Sequence, residues 1–282
     1  MIKFVLQHVK LYQSLQSIPF VRKFFVYDVS KLNRLKVGDV FDLIFSDISN
    51  PNGTSKTTSK NRFLDLDEWC LKYISADRQL EVHDVAVSSG ITSINLFKSL
   101  EAGDKLKSFN VSDKYSELSY KGKWIKRFYD SNGVCTFIYV FGLYAIKQTS
   151  WFFFMSKFFF SLFSSKLETP PDGKVTLFHS ELMKKVESGE IGILEYDVFS
   201  SSINESFDLV RCMNLLNPLQ FSDEQIKKAI NNLTDSLRES GLLIIGRSTM
   251  SGEHRVSILQ KTGVNLVMLG ELNGGAELKH LF

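Results

Sequence analysis

Residues 82–92, VHDVAVSSGIT, constrain this chain more than any other stretch. An apolar strand ending at Asp84 runs into a turn of small residues, Ala86-Val87-Ser88-Ser89-Gly90, and Ile91–Leu100 reads as a helix. A strand, a tight turn and a helix N-terminus form a nucleotide-binding βα unit, because small residues admit a ligand to the backbone and the helix start presents unpaired N–H groups. About 20 residues on, a second strand, SFNVSD, ends in Asp113, where a carboxylate can bind a ribose diol. The turn lacks the full glycine pattern, so its weight comes from the order of the elements after it.

Those elements alternate between helix and strand. A helix is expected over Ser180–Val186, a strand over Ile191–Tyr196 leading to Asp197, and a strand over Phe207–Met213. A helix over 222–240 starts at the N-cap candidate Ser222, buries Ile226, Ile230, Leu233 and Leu237, and stops at Gly241. Leu242–Gly246 reads as a buried strand, and 254–260 with 264–270 as a terminal hairpin turning at Lys261-Thr262-Gly263. The fold expected is α/β: a doubly wound, mostly parallel seven-stranded sheet with a C-terminal antiparallel hairpin. An N-terminal helical extension and a hydrophobic, basic insertion complete it.

The order of these motifs resembles the class I S-adenosylmethionine-dependent methyltransferases over roughly residues 62–282. VHDVAVSSG stands at the glycine-rich first motif, FDLVRCMNLLN at the fourth strand and ESGLLIIGRS at the fifth. The resemblance implies S-adenosyl-L-methionine as cofactor. Asp84, Ala86, Ser88 and Gly90 would frame its methionine part, Asp113 its ribose, and Asp197 with the Val198 backbone its adenine. Asn214 would face the methyl-transfer side as the catalytic candidate. Two usual glycines are Ala86 and Ser88, so a non-catalytic protein of the same fold, acting in membrane or partner binding, is the alternative. RCMNLLNPLQFSDEQIKKAINNLTDSLRESGLLIIGRS also resembles the receptor-modifying glutamate methyltransferases of chemotaxis.

Flanking segments set the expected organisation: an N-terminal extension and polar loop over 1–61, then the methyltransferase-like domain with an insertion at about 115–172. Apolar residues from Ile2 to Ile18 suggest an amphipathic helix. Residues 120–167 carry seven Lys and Arg against Asp130 alone, in a chain of net charge +3. Two mostly apolar runs lie within, 134–146 and 151–163. KWIKRFY and TFIYVFGLY read as a hairpin turning at Asp130-Ser131-Asn132-Gly133, and the Trp/Phe run as an interfacial helix. Residues 134–163 therefore suit a membrane surface or lipid. A cap on the sheet, or an interface in an oligomer, is the other reading. Nucleic acid is disfavoured, since basic and aromatic residues are not interleaved on one polar face. Three dispersed cysteines and five scattered histidines show no metal spacing. No signal peptide or 18-residue apolar span is evident, so a cytoplasmic, membrane-peripheral protein with an unidentified methyl acceptor is expected.

Overall fold

A computed structural model describes residues 3–18, 20–34, 61–75, 78–147, 161, 164, 166–204, 206–249 and 251–282. The expected interfacial helix at 151–163, Ser161 apart, and the polar stretch 49–60 lie outside the described residues. The chain divides into two compact units, 1–59 with 115–180 and 60–114 with 181–282.

The first unit holds a seven-stranded sheet of which local patterning announced only the hairpin around 130–133. β1 (Lys3–Leu6) and β2 (Phe25–Tyr27) are parallel, with α1 (Val9–Gln16) between them. β5 (Glu117–Lys121), β6 (Ile125–Tyr129), β7 (Cys135–Val140) and β8 (Tyr144–Lys147) form an antiparallel meander. β1 pairs with β8, and β9 (Gly173–Thr176) with β5. The extension and the insertion are thus one folded body, not two appendages. Val5, Tyr12, Val26, Phe128, Phe137 and Tyr139 fill its core. The expected hairpin turn forms at 130–133. The Asp130 carboxylate accepts the Asn132 and Val134 N–H groups at 3.0 and 2.9 Å, and Gly133 takes φ +71°.

The second unit carries the doubly wound sheet. Its parallel part contains β3 (Leu80–Val85), β4 (Leu106–Ser112), β10 (Gly192–Ile193), β11 (Phe207–Met213) and β12 (Leu237–Ser248). β13 (His254–Thr262) and β14 (Asn265–Leu272) add the antiparallel hairpin, giving the order β10-β4-β3-β11-β12-β13-β14. Helices α2 (Leu64–Leu71), α3 (Ile91–Ala102), α4 (Ser180–Glu187) and α5 (Asp223–Ser236) accompany it. From β3 the chain moves one way to β4 and β10, then returns to β11 on β3's other side. The β3/β11 boundary is therefore the switch point, where ligands collect beyond the carboxyl ends of strands. Among the described residues no helix is long and apolar enough to cross a membrane.

Several boundaries differ from expectation: the N-terminal apolar stretch opens with strand β1 before α1, β12 begins at Leu237 rather than Leu242, and β13 runs through Lys261 and Thr262, so the hairpin turns at Gly263-Val264. The strand before Asp197 is only Gly192–Ile193. Helix α5 stops at Ser236, four residues early, because Leu237 is fully buried and pairs with Phe207 as the first residue of β12. At the helix start the expected cap does form: Ser222 and Gln225 make a reciprocal capping box.

Gly246 marks a close approach of two backbones in the sheet. It faces Val256 across β12 and β13, and a methyl group there would overlap the Arg255 carbonyl oxygen and lie 2.8 Å from the Val256 Cα. Both obstacles are backbone, so neither can rotate away. Gly246→Ala is expected to lower stability by about 2 kcal/mol through overpacking. Trimming Val256 to alanine should not restore it, as urea titration of the single and double variants will show.

Candidate functional site

The turn after β3 has an unusual backbone. Ala86, Ser88 and Gly90 all take left-handed φ, at +59°, +61° and +77°. The reversal is held by Val87 N–H donating to Ser112 O at 3.1 Å and Gly90 N–H to Val87 O at 2.9 Å. Helix α3 then starts directly, with Ile94 N–H donating to Gly90 O at 3.1 Å. Only at Gly90 is the residue suited to its φ, and a side chain there would also overlap Leu182 of α4. Ala86 and Ser88 hold a conformation that costs L-residues roughly 1 kcal/mol each. Ala86→Gly and Ser88→Gly are therefore expected to leave stability unchanged or to raise it by up to about 1 kcal/mol, readable as an upward shift of the thermal midpoint. Glycine's extra unfolded-state entropy offsets part of the relieved strain. A clear loss in both variants would show that the Cβ atoms contribute packing that outweighs the strain.

Asp113, just past β4, closes one side of the turn. Its carboxylate accepts the Ser88 N–H at 2.8 Å, so two residues expected to share one ligand are in direct contact. The Ser88 hydroxyl is buried and makes no hydrogen bond among the described residues. Asp197 lies in the segment after β10, where its carboxylate accepts the Lys114 ammonium at 2.7 Å and the Phe199 N–H at 3.2 Å. Partial burial alone would raise its pKa, but Lys114 and the Phe199 N–H hold it below the usual carboxylate range. Val198 is buried, and its carbonyl accepts the Asn232 side-chain amide of α5 at 2.7 Å. Asn214 follows β11, exposed and left-handed at φ +61°. Its side-chain oxygen accepts the Ser248 N–H at 2.7 Å, and its own N–H donates to Gly246 O at 2.9 Å.

Asp84 has a different partner from the one the resemblance implies. It is buried at the end of β3 and gripped by Arg211 of β11, with Nε 3.0 Å and Nη2 2.6 Å from its two oxygens. Ser93 of α3 donates to the same carboxylate at 2.6 Å. Arg211 Nη1 reaches Asp67 of α2 at 2.6 Å, and the guanidinium lies 5.8 Å from the Phe63 ring centroid. One cation, 1% exposed, thus ties β3, β11, α2 and α3 together beneath the turn. Asp84 fixes the turn's base. The signal in the sequence was Arg211 itself, a charge inside the apolar run FDLVRCM.

A second feature that the sequence did not suggest lies at the end of β12. His254 Nε2 is 2.8 Å from the Arg62 carbonyl, which can only accept, so Nε2 carries a proton and, in the neutral ring, Nδ1 is the acceptor. Ser248 then donates its hydroxyl to Nδ1 at 2.9 Å. Asn214, Ser248 and His254 thus form one chain of hydrogen bonds at the carboxyl ends of β11 and β12. His83, by contrast, is a core residue. It sits between the Tyr196 and Phe207 rings, 2.8 Å from the Ser112 hydroxyl, and burial pushes its pKa down to about 4. Cys70, Cys135 and Cys212 are buried thiols, each raised to about 12 chiefly by burial.

No protein-family model matches this chain, and no curated protein matches it in sequence. The solved structures that match it are mostly S-adenosylmethionine-dependent methyltransferases. The PH0226 protein of Pyrococcus horikoshii OT3 is 10% identical, over 78% of each chain, with a TM-score of 0.38. The N-methyltransferase NodS of Bradyrhizobium japonicum is 12% identical over 67% of this chain and 70% of its own, with a TM-score of 0.35. An O-methyltransferase family 2 protein of Planctomyces limnophilus, solved with apigenin, is 13% identical over 67% of this chain and 38% of its own, at 0.34. At these scores the likeness carries nothing about chemistry, which the geometry of the chain itself has to supply.

Proposed function

We propose that the second unit binds S-adenosyl-L-methionine and transfers its methyl group to an unidentified acceptor. The observation that carries this reading is the turn at 86–90. Three left-handed residues wrap the start of α3 at the β3/β11 switch point, and the acid at the end of β4 meets the turn backbone through Ser88. A small-residue backbone beside a helix N-terminus and a half-buried carboxylate suit a nucleoside with a charged tail. The orphaned Ser88 hydroxyl leaves a donor there for that tail.

In this reading Ala86, Ser88 and Gly90 line the methionine part, with Asp84 supporting them from below. Asp113 takes the ribose hydroxyls, and Asp197 with Val198 borders the adenine. The cofactor supplies an electrophilic methyl group, so the protein needs no nucleophile of its own. It has to align the acceptor and accept any proton released. Asn214 orients the acceptor through its amide nitrogen, since its oxygen is committed to Ser248. A hydroxyl or amine acceptor would pass its proton to Ser248 as Ser248 passes its own to His254 Nδ1. The resulting imidazolium keeps its bond to the Arg62 carbonyl.

Calorimetric titration with S-adenosyl-L-methionine tests the reading before any acceptor is known. Micromolar binding is expected, weakened at least tenfold, about 1.4 kcal/mol, in Asp113→Ala. A folded wild-type protein that does not bind would sink it. That result would favour the non-catalytic alternative, in which the Cβ atoms of Ala86 and Ser88 obstruct the backbone approach.

A further inference from the structure

Two neighbouring turns of the first unit present large apolar side chains to solvent. Trp124, in the β5–β6 turn, is 65% exposed; Phe141 and Leu143, in the β7–β8 turn, are 63% and 57% exposed. The turns are fastened side by side, since Phe141 N–H donates to Trp124 O at 2.6 Å and the two rings lie 6.3 Å apart. Leu143 O accepts the Val5 N–H at 2.8 Å, which brings β1 alongside. There Phe4 and Tyr144, also exposed, stand opposite each other with ring centroids 5.4 Å apart.

Folding does not account for Phe141. It and Gly142 both take left-handed φ, at +52° and +64°, as the central residues of a β-turn closed by Leu143 N–H to Val140 O at 3.0 Å, within the three-residue β7–β8 connection. Such a turn favours Asn-Gly, and a bulky residue in that conformation is strained. Phe141 therefore carries backbone strain while leaving most of its ring in water, with the equally exposed Trp124 as its ring partner. Strain of this kind collects where a side chain serves binding.

The surrounding charge selects the partner. Lys123 is exposed, its ammonium 5.7 Å from the Trp124 ring centroid. Residues 118–129 contain Lys121, Lys123, Lys126 and Arg127 with no acid, and residues 1–27 and 134–147 contain no acid either. Lys121 is bonded to Pro170 O and Lys126 to Ser30. Asp172 faces this end, with its carboxylate accepting the Gly122 N–H. Aromatic residues on protruding turns, beside lysines, match the interfacial layer of a bilayer bearing negative headgroups. We propose that these two turns dock the protein on anionic phospholipid membranes, with Trp124, Phe141 and Leu143 entering the interface and Lys123 facing the headgroups.

Vesicle sedimentation of the full chain tests this, using phosphatidylcholine with and without phosphatidylserine. Binding is expected to the phosphatidylserine vesicles, with a blue shift of tryptophan emission that disappears in Trp124→Phe. Phe141→Asn should weaken partitioning at least tenfold while leaving the thermal midpoint equal or higher, because asparagine suits the turn. That opposite pair of effects separates a lost contact from a damaged fold. Lys123→Glu should abolish the preference for phosphatidylserine. The proposal is overturned if neither vesicle is bound, or if binding persists unchanged in both Phe141→Asn and Trp124→Ala. It is also overturned if the turns instead mediate self-association in solution, lost in Phe141→Asn, without vesicle binding.

Discussion

Arg211→Met is expected to destabilise the protein by roughly 3–5 kcal/mol, the largest loss expected of a single substitution near the turn. Arg211 is 1% exposed and faces two carboxylates that are themselves buried, Asp84 and Asp67. A methionine fills much of the volume and supplies apolar contact. It leaves Asp84 with Ser93 as its remaining hydrogen-bond donor among those described, and Asp67 with neither charge nor donor from β11. The cost is therefore that of uncompensated buried charge, not of a cavity. Urea unfolding at neutral pH measures it, with a fall in thermal midpoint on the order of 10 °C. A loss under about 1 kcal/mol would show that the network is hydrated in solution and that Asp84 is available for other work. The triple variant Arg211→Met, Asp84→Leu, Asp67→Leu should recover most of the stability, because no charge is then left unpaired. It should not recover the turn, whose base would have lost its hydrogen bonds.

The network also shows what could and could not be read from the residues alone. The elements of the second unit were visible because each carries a local signal. Examples are the small-residue turn at 86–90, the Ser222 cap with Gln225 at N3, and the continuous apolar run after Gly241. Their order around the switch point then accords with the rules of parallel sheets. In the sheet of the first unit only the β6–β7 hairpin, with its Asp130-Ser131-Asn132-Gly133 turn, carried such a signal. β1 is four residues long, and apolar spacing over so short a stretch fits helix and strand equally. Its partner, β8, pairs Lys3 with Ala145, a distance along the chain that no local pattern spans. The candidate site divides in the same way. Ala86, Ser88 and Gly90 share one turn, and Asp113, 25 residues on from Ser88, meets it through the Ser88 N–H. Asp84 finds its partner, Arg211, 127 residues away on another strand, a pairing that no local pattern reveals. The Ser248–His254 pair is not legible in the sequence for a simpler reason: five scattered histidines offer no spacing to single one out.

Asp67→Asn should have the opposite sign to the loss of Arg211, and its effect should depend on pH. One guanidinium cannot neutralise two carboxylates, and the second pair of oxygens bears that deficit. Asp67 Oδ2 is buried without a hydrogen bond among the described residues. Burial, with the Asp84 charge added, raises the Asp67 pKa from 3.8 to about 6, against the pull of Arg211. A carboxylate whose pKa is raised in the folded state binds more protons folded than unfolded between those two values. Its contribution to stability is fully present below about 4 and is lost as pH rises through 6. At pH 8 the ionised group costs at most about 3 kcal/mol relative to a neutral one. Asparagine removes that cost and keeps an oxygen for Arg211 Nη1, which leaves Arg211 and Asp84 as a one-to-one pair. Its NH₂ group, buried where Oδ2 finds no partner, takes back about 1 kcal/mol. Asp67→Asn is therefore expected to be more stable than wild type by about 2 kcal/mol at pH 8. The advantage should shrink from pH 6 downward, vanish between pH 4 and 5, and give way to a deficit of about 1 kcal/mol at lower pH, as urea midpoints taken across that range will show. A constant difference would mean that Asp67 does not titrate there. A destabilised variant at pH 8 would mean that both negative charges are needed to hold Arg211 in the sheet.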